Sequence, residues 1–318
     1  MGAQQTLYRE YWKGRYEMAV RSSEGTLANK DSIFHKKKRS GEVGIQALIW
    51  ISAAFSVALL VGIILYIFVH GIAMVTPEFL TTVTSSIKQT VGIAGNIVNT
   101  LYIIVITLLI ATPIGIGSAI YLNEYAKPGK MVNLINFTTK TLSGIPSIIF
   151  GLFGYIFFGT TLNLGYSILT GALTLTLMIL PLITSNTQEA LKTVPDSYRQ
   201  GALGMGATKW HMIRTILLPS AMPGIVTGVV LSIGRIVGES AALLFTAGSG
   251  YYLPKAGLGL LHKILESGGT LTIQLYLSMS KADYDVAYGI AVVLLVIVLL
   301  LNLSVKWIAR MSRRAQEG

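Results

Sequence analysis

Arg235 and Glu239 interrupt the apolar run GRIVGESAALLFTAG of residues 234–248. A guanidinium is a planar fork that grips an oxyanion through two parallel hydrogen bonds. A carboxylate beside it partly neutralises the cation, so a bound anion is not held too tightly to leave. It can also accept a proton-bearing oxygen of that anion. On a continuous helix, residues four apart share a face and can pair with each other. With a span taken to begin near residue 224, Arg235 falls close to mid-membrane, where a lone charge costs roughly 2.5–3.5 kcal/mol. Neither side chain is therefore expected to face lipid. Two readings remain open: an anion pathway, or an ion pair that locks one helix to its neighbours.

Other chemistries find no support. There is no G-x-x-x-x-G-K-[ST] phosphate loop and no G-x-G-x-x-G. Gly204, Gly206 and Lys209 resemble a phosphate loop only superficially, since no strand precedes them and the Gly-Lys pair is missing. His35, His70, His211 and His262 are scattered, and there are no cysteines, so neither spacing nor residue type suggests a metal site. No nucleophile recurs beside a base. No cofactor is expected in this chain, and if the protein uses ATP another subunit must hydrolyse it.

The second chemistry-bearing stretch is QGALGMGATKWHMIRTILLP, Gln200–Pro219, a mixed island between long hydrophobic runs. Gly204 and Gly206 suit a tight turn, and Thr208 can cap a new helix. That helix would line up Trp210, Ile213, Ile216 and Leu217, with Lys209, His211 and Arg214 off the stripe. Pro219 is expected to end it and Pro223 to resist a restart. Two short helices meeting at glycines make a docking platform, with Trp210 as its aromatic anchor. Glu189, Lys192 and Arg199 read as solvated loop charges, and Asn123 and Glu124 as a helix terminus at headgroup level.

The spacing of this stretch resembles the cytoplasmic loop of ABC-importer permeases: EAA, three residues, Gly, nine residues, I-x-L-P. Gln200, Gly201 and Ala202 stand where EAA would be. Gly206 and Ala207 follow in register, then Ile216, Leu218 and Pro219; the acid is replaced by Gln200 and the first alanine by Gly201. Within that class the chain is similar to phosphate-importer permeases of the PstA type, through residues 234–248 and LSGIPSIIFGL at 142–152. The resemblance covers roughly residues 96–310. It implies a type I ABC importer permease fold and half of a heterodimer with a PstC-type sister permease. It also implies an ABC ATPase dimer that uses ATP and Mg, docked on residues 200–219, and a periplasmic phosphate-binding protein. Sulfate or molybdate import, or an ATPase-independent channel or carrier, are the alternatives.

Composition agrees with a membrane location. The 318 residues are 52% hydrophobic and 12% charged, against about 25% charged in soluble domains. The net charge of +11 sits in flanks beside apolar spans and forms no basic face, so nucleic acid is not an expected partner; membrane lipid is. Hydropathy predicts an all-α polytopic protein with six transmembrane helices, near 47–69, 96–121, 141–159, 166–185, 224–247 and 287–308. The third and fourth, rich in Gly, Pro, Ser and Thr, should face protein or cavity rather than lipid. Pro113, Pro146 and Pro181 are expected to kink them.

Of the 25 Lys and Arg, only Lys88, Lys255, Lys263 and Lys281 fall in the expected outer segments. Both termini are thus expected in the cytoplasm of a bacterial plasma membrane. The layout is a basic tail over 1–44, without a cleavable signal, a membrane domain over 45–312 with a coupling loop at 186–223, and a short tail over 313–318. In the first tail, Met1-Gly2 with Thr6 fits a myristoylation pattern, Tyr8, Trp12, Tyr16 and Val20 suit an interfacial helix, and Lys36–Arg39 fixes orientation. Leu258, Leu261, Ile264 and Leu265 give a short amphipathic helix in the outer loop, either part of a lid for a delivery protein or a packing helix.

Overall fold

The computed structural model describes Met18 and residues 40–85, 90–253 and 259–317. The chain divides into two units, residues 1–63 and 64–318. In the first, the described chain is Met18 and the greater part of a long apolar helix, α1 (Ser40–Gly71). The basic-tail patterns, including Lys36–Arg39, lie outside the described residues apart from Met18.

The second unit opens with α2 (Pro77–Thr81) and a small antiparallel ladder, β1 (Val83–Ser85) and β2 (Thr90–Ile93), with Val83 opposite Ile93. Helices follow: α3 (Ala94–Ile120), α4 (Lys130–Ser143), α5 (Ser147–Gly154), α6 (Ile168–Lys192), α7 (Asp196–Gly204), α8 (Lys209–Met212), α9 (Leu218–Gly238), α10 (Ala241–Thr246), α11 (Gly259–His262), α12 (Leu271–Ser280) and α13 (Tyr284–Glu317). Wide π turns extend α3 over Tyr121–Tyr125 and α5 over Tyr155–Thr161, and another joins α8 to α9 over Ile213–Leu217. Among the described residues, five helices are long and apolar enough to cross a bilayer, and the number is six when the bent pair of α4 and the extended α5 is counted as one span.

The axis of the second unit is α6, which packs against α3, α4, α5, α9 and α10. Its apolar stretch is 67% buried, against 33% for the span ending at Gly238, so it faces protein as its composition predicts. Leu175, Ile179 and Ile183 meet Ile103, Ile104 and Ala111 of α3, Ile233 and Ile236 of α9, and Leu243 of α10. Lipid supplies no hydrophobic drive for such contacts, so close packing and internal hydrogen bonds must hold them. Gly115 of α3 lies so near Ile183 that a Cβ would overlap it. Thr174 and Thr176 donate to the carbonyls of Thr170 and Ala172, and Thr107 reaches across from α3 to Ala172. The third span divides: Phe150, Gly151 and Gly154 are buried, whereas Ile148, Ile149, Leu152 and Phe153 are exposed.

The prolines behave differently from one another. Pro113 and Pro181 lie inside α3 and α6 without ending them. Pro146 marks a sharp turn, with 101° between the two halves of the bent pair, because the residue before a proline is pushed out of helical geometry. The third span is thus part of a bent pair over 130–161 rather than one helix over 141–159. Nor does Pro219 end a helix: Lys209–Gly238 is one helical path of 30 residues. Pro219 sits in the first turn of α9, where its missing N–H costs little, just past the looser π turn. The fifth span therefore begins near Lys209 rather than 224. It stops at Gly238, nine residues before the expected end, because Glu239 adopts an extended backbone (φ −84°, ψ 119°).

Opposite the α7–α8 end, residues 248–253 and 259–270 are stitched into the bundle. Asn96 Nδ2 donates to the Gly269 carbonyl (3.0 Å) and Asn99 Nδ2 to that of Gly250 (2.9 Å). The Leu271 amide donates to Thr100 Oγ1 (3.0 Å) and that of Ile168 to the Glu266 carbonyl (3.0 Å). The short helix expected here is present as α11 and a following 3-10 turn, but its side chains are not arranged as expected. Leu265 is exposed and Lys263 is buried; Leu258 lies outside the described residues.

Candidate functional site: an elbow and an arginine at a helix break

The elbow is built from α7, a glycine turn and α8. Helix α7 runs out at Met205, and Gly206 takes φ +85°, a left-handed conformation that suits glycine. The chain then turns back, with the Ala207 amide bonded to the Ala202 carbonyl (3.0 Å). Thr208 caps α8 as expected, accepting from the His211 amide at 3.3 Å. Inside the elbow, Ala202, Met212, Ile213 and Leu217 pack on Ile120 of α3, Leu191 of α6 and Val194, with Ala207, Ile216 and Leu218 against them. Gln200, Gly201, Leu203, Met205, Gly206 and Trp210 are exposed. Trp210 is therefore not on the buried stripe; Met212 holds that place beside Ile213 and Leu217. Ile216 and Pro219 are half-buried. The elbow has a locked inner face and an open outer face bearing a tryptophan.

One guanidinium fastens the elbow to two spans. Arg199 of α7 donates through Nε and Nη2 to Glu124 Oε1, at 3.2 and 3.0 Å. Nη2 also bonds the Leu191 carbonyl, and Nη1 bonds the Val194 carbonyl and Asp196 Oδ1, each at 2.9 Å. A guanidinium has five N–H donors, and each has an acceptor here. The Arg199 and Glu124 side chains are only 17% and 6% exposed, which corrects the reading of Arg199 as a solvated charge; Glu124 stands at the helix terminus expected for it. Asn123 Nδ2 braces Glu124 Oε1 at 2.7 Å. Next to this pair, Lys209 Nζ lies 4.9 Å from the centre of the Tyr125 ring, a cation–π contact from the elbow to the same π turn.

Arg235 presents the opposite case. It lies in the last turn of α9, where a cation is favoured by the helix dipole. It is exposed between Gly234 and Gly238, positions where an added Cβ would meet open space. Among the described residues it has no hydrogen bond or ion pair. Because the helix stops before Glu239, the two do not share a helical face, and they form no ion pair. Glu239 Oε1 instead accepts the Ala242 amide at 3.0 Å, fixing the start of α10, and its carbonyl accepts from Thr272 Oγ1 at 3.1 Å. With Pro223, Thr227 and Leu231, Arg235 lies on the exposed side of α9, while Ile225, Ile233 and Ile236 hold its other side in the core. Among the described residues, no group of three or more His, Asp or Glu side chains could hold a metal ion.

A bundle of apolar helices folded around α6, with a polar elbow between two spans, has the architecture of a polytopic membrane protein. Its fold is shared with a chain of a bacterial alginate ABC transporter, solved in complex with an alginate-bound periplasmic protein. The TM-score there is 0.63 at 17% identity, covering 85% of this chain and 94% of that one. Residues 111–317 match the family described as binding-protein-dependent transport system inner membrane component, and the chain belongs to that family. Among relatives, it is 35% identical over 271 residues to a probable ABC transporter permease protein, YqgI, of Bacillus subtilis, covering 81% of this chain and 92% of that protein. It is 32% identical over 276 residues to the phosphate transport system permease protein PstA 2 of Mycobacterium bovis, covering 85% and 89%.

Proposed function

We propose that this chain is the PstA-type permease subunit of an ATP-driven phosphate importer, forming half of the translocation pathway beside a PstC-type sister. Phosphate is the substrate suggested by relatives that carry that name. The observation that carries the reading is Arg235: a permanently charged fork on the open side of a helix whose other side is locked, with no partner among the described residues. An oxyanion passing that side supplies the missing acceptors. Glu239 stands at the break and tempers the cation's hold on the anion. A periplasmic binding protein delivers the phosphate. On the other side of the membrane, an ATPase dimer that uses ATP and Mg seats against the exposed face of Gln200–Pro219 and rocks the spans so that the cavity opens alternately. Both termini lie in the cytoplasm of the bacterial plasma membrane.

The test is purification of the chain from its native membrane, followed by reconstitution of what comes with it. An ATPase, a sister permease and a phosphate-binding protein should accompany it, and vesicles holding all of them should accumulate labelled phosphate only with ATP. Uptake of sulfate or molybdate in preference to phosphate would overturn the substrate. Uptake by the chain alone would overturn the ATP-driven reading.

A further inference from the structure

We infer that Arg199 and Glu124 form a rigid strut that makes the elbow and the end of α3 move as one body. The inference rests on the reading that a partner ATPase pushes on the elbow, and it names the residues that carry the push inward. Three separate pieces of chain meet at the Arg199 guanidinium. Its own helix α7 supplies the arginine. The end of α6 and the turn beyond it supply the Leu191 and Val194 carbonyls, and the π turn that ends α3 supplies Glu124. These contacts join positions 75 residues apart in sequence. With every donor satisfied, the guanidinium has no spare bond with which to adapt, so rotating the elbow against α3 breaks both bonds to Glu124 together.

The surroundings make such breakage costly. Both charges are largely withdrawn from water, where an unpaired ion is penalised far more than at a surface. Just beneath them, Ile120 of α3 lies in the same apolar cluster as Ala202 of α7 and Ile213 and Leu217 of the α8–α9 junction. The Lys209–Tyr125 contact adds a second tie from α8 to the same turn. Around the glycine turn, by contrast, an added Cβ at Gly201, Gly204 or Gly206 would meet open space. The elbow is open at its tip and fixed at its root.

The chain has no cysteine, so nitroxide labels can be placed at will in the reconstituted complex. Labels at Tyr121→Cys and Tyr198→Cys, both exposed, report the separation of α3's end from α7. That separation should be the same without nucleotide and with ATP trapped. A change of more than about 5 Å, one helical turn, would overturn the strut. Arg199→Lys keeps the charge but loses the five-donor fork. In that variant the label distances should broaden, and uptake per ATP hydrolysed should fall about tenfold while the subunits still co-purify. Unchanged uptake per ATP would also overturn the proposal. A label at Met205→Cys, paired with one on the ATPase, reports docking itself. Loss of docking and loss of the strut therefore register in different distances, and the wild-type label pair decides the matter even if Arg199→Lys fails to fold.

Discussion

Two arginines divide the work of this molecule, and they do so by how many acceptors each has. Arg199 has five hydrogen bonds and a nearly buried carboxylate partner. Arg235 is exposed and has no partner among the described residues. Both are permanent cations on the same kind of side chain, so the difference lies in the surroundings. A satisfied guanidinium inside a bundle holds elements together; one left open beside glycines on an apolar helix is available to something from outside the chain. The same residue type can thus hold a bundle together or, on the proposed reading, meet a passing anion.

Breaking each arginine separately should show the difference in stability. Arg235→Gln removes a charged fork that anchors nothing among the described residues. Uptake by the reconstituted complex should fall at least ~100-fold, the loss expected for two charge-assisted bonds. Its unfolding in detergent should move by less than about 0.5 kcal/mol, as for surface changes away from buried networks. Normal uptake by that variant would return Arg235 to a structural role. Arg199→Met should instead destabilise the fold by about 3–5 kcal/mol, because Glu124 is left charged and without its cation in a poorly hydrated site. Adding Glu124→Gln should recover part of that loss, since removing both partners costs less than stranding one. Thermal unfolding of the single and double variants measures this directly.

That contrast was only half legible in the sequence. Arg235 and Glu239 stand out because charge is rare in an apolar run, but whether they pair depends on a helix break that four-residue spacing cannot reveal. Neither Gly238 nor Glu239 forces the break; a cap on α10 and a hydrogen bond from Thr272 hold it. Arg199 is hidden for another reason: its polar stretch reads as a loop whose charges are ordinarily solvated, and its partner Glu124 is distant in sequence. The elbow itself was legible, because Gly206 and Thr208 are local signals for a left-handed turn and a helix cap. Pro219 misled because a proline stops a helix only when its position needs the missing N–H, and the π turn just before it changes that position. Spans were found wherever hydropathy was continuous, and misplaced where Pro146 folds one back or Glu239 cuts one short.

The elbow's open tip allows smaller interventions that leave both arginines in place. Gly206→Glu forces a side chain into left-handed backbone geometry and puts a charge on the exposed face. The protein should remain in the membrane while ATP-driven uptake falls about tenfold, the outcome of losing about 1.4 kcal/mol of productive docking; retained co-purification with full uptake would contradict the docking role. Thr208→Ala should be milder, costing about 1 kcal/mol by removing one cap. Faster amide exchange over residues 209–212, with the Arg199 network unchanged, would place that loss at the start of α8.

Lys263 supplies an intermediate case at the opposite end of the bundle. Its side chain is only 1% exposed, yet among the described residues its ammonium has one bonded side-chain acceptor, Glu266 Oε2 at 3.3 Å. The hydrogen bond from Lys263 holds the Glu266 carboxyl below its ordinary value of 4.5, with Lys263 charge and His262 assisting against a smaller opposing effect of burial. A carboxyl whose folded value is depressed stabilises the fold above its unfolded value, and that contribution is lost as pH falls through the folded value. Acidification below the ordinary carboxylate range should therefore loosen residues 259–270 while leaving the elbow intact. Glu266 is 44% exposed, so solvent screening keeps the effect below about 1 kcal/mol. Amide exchange compared at neutral and acid pH measures it: Glu266→Gln should show the loosened loop already at neutral pH and lose the acid response. If the loop in Glu266→Gln exchanges as slowly as in the parent chain, Lys263 is held by packing alone, and a single acceptor is not what tethers a buried cation here.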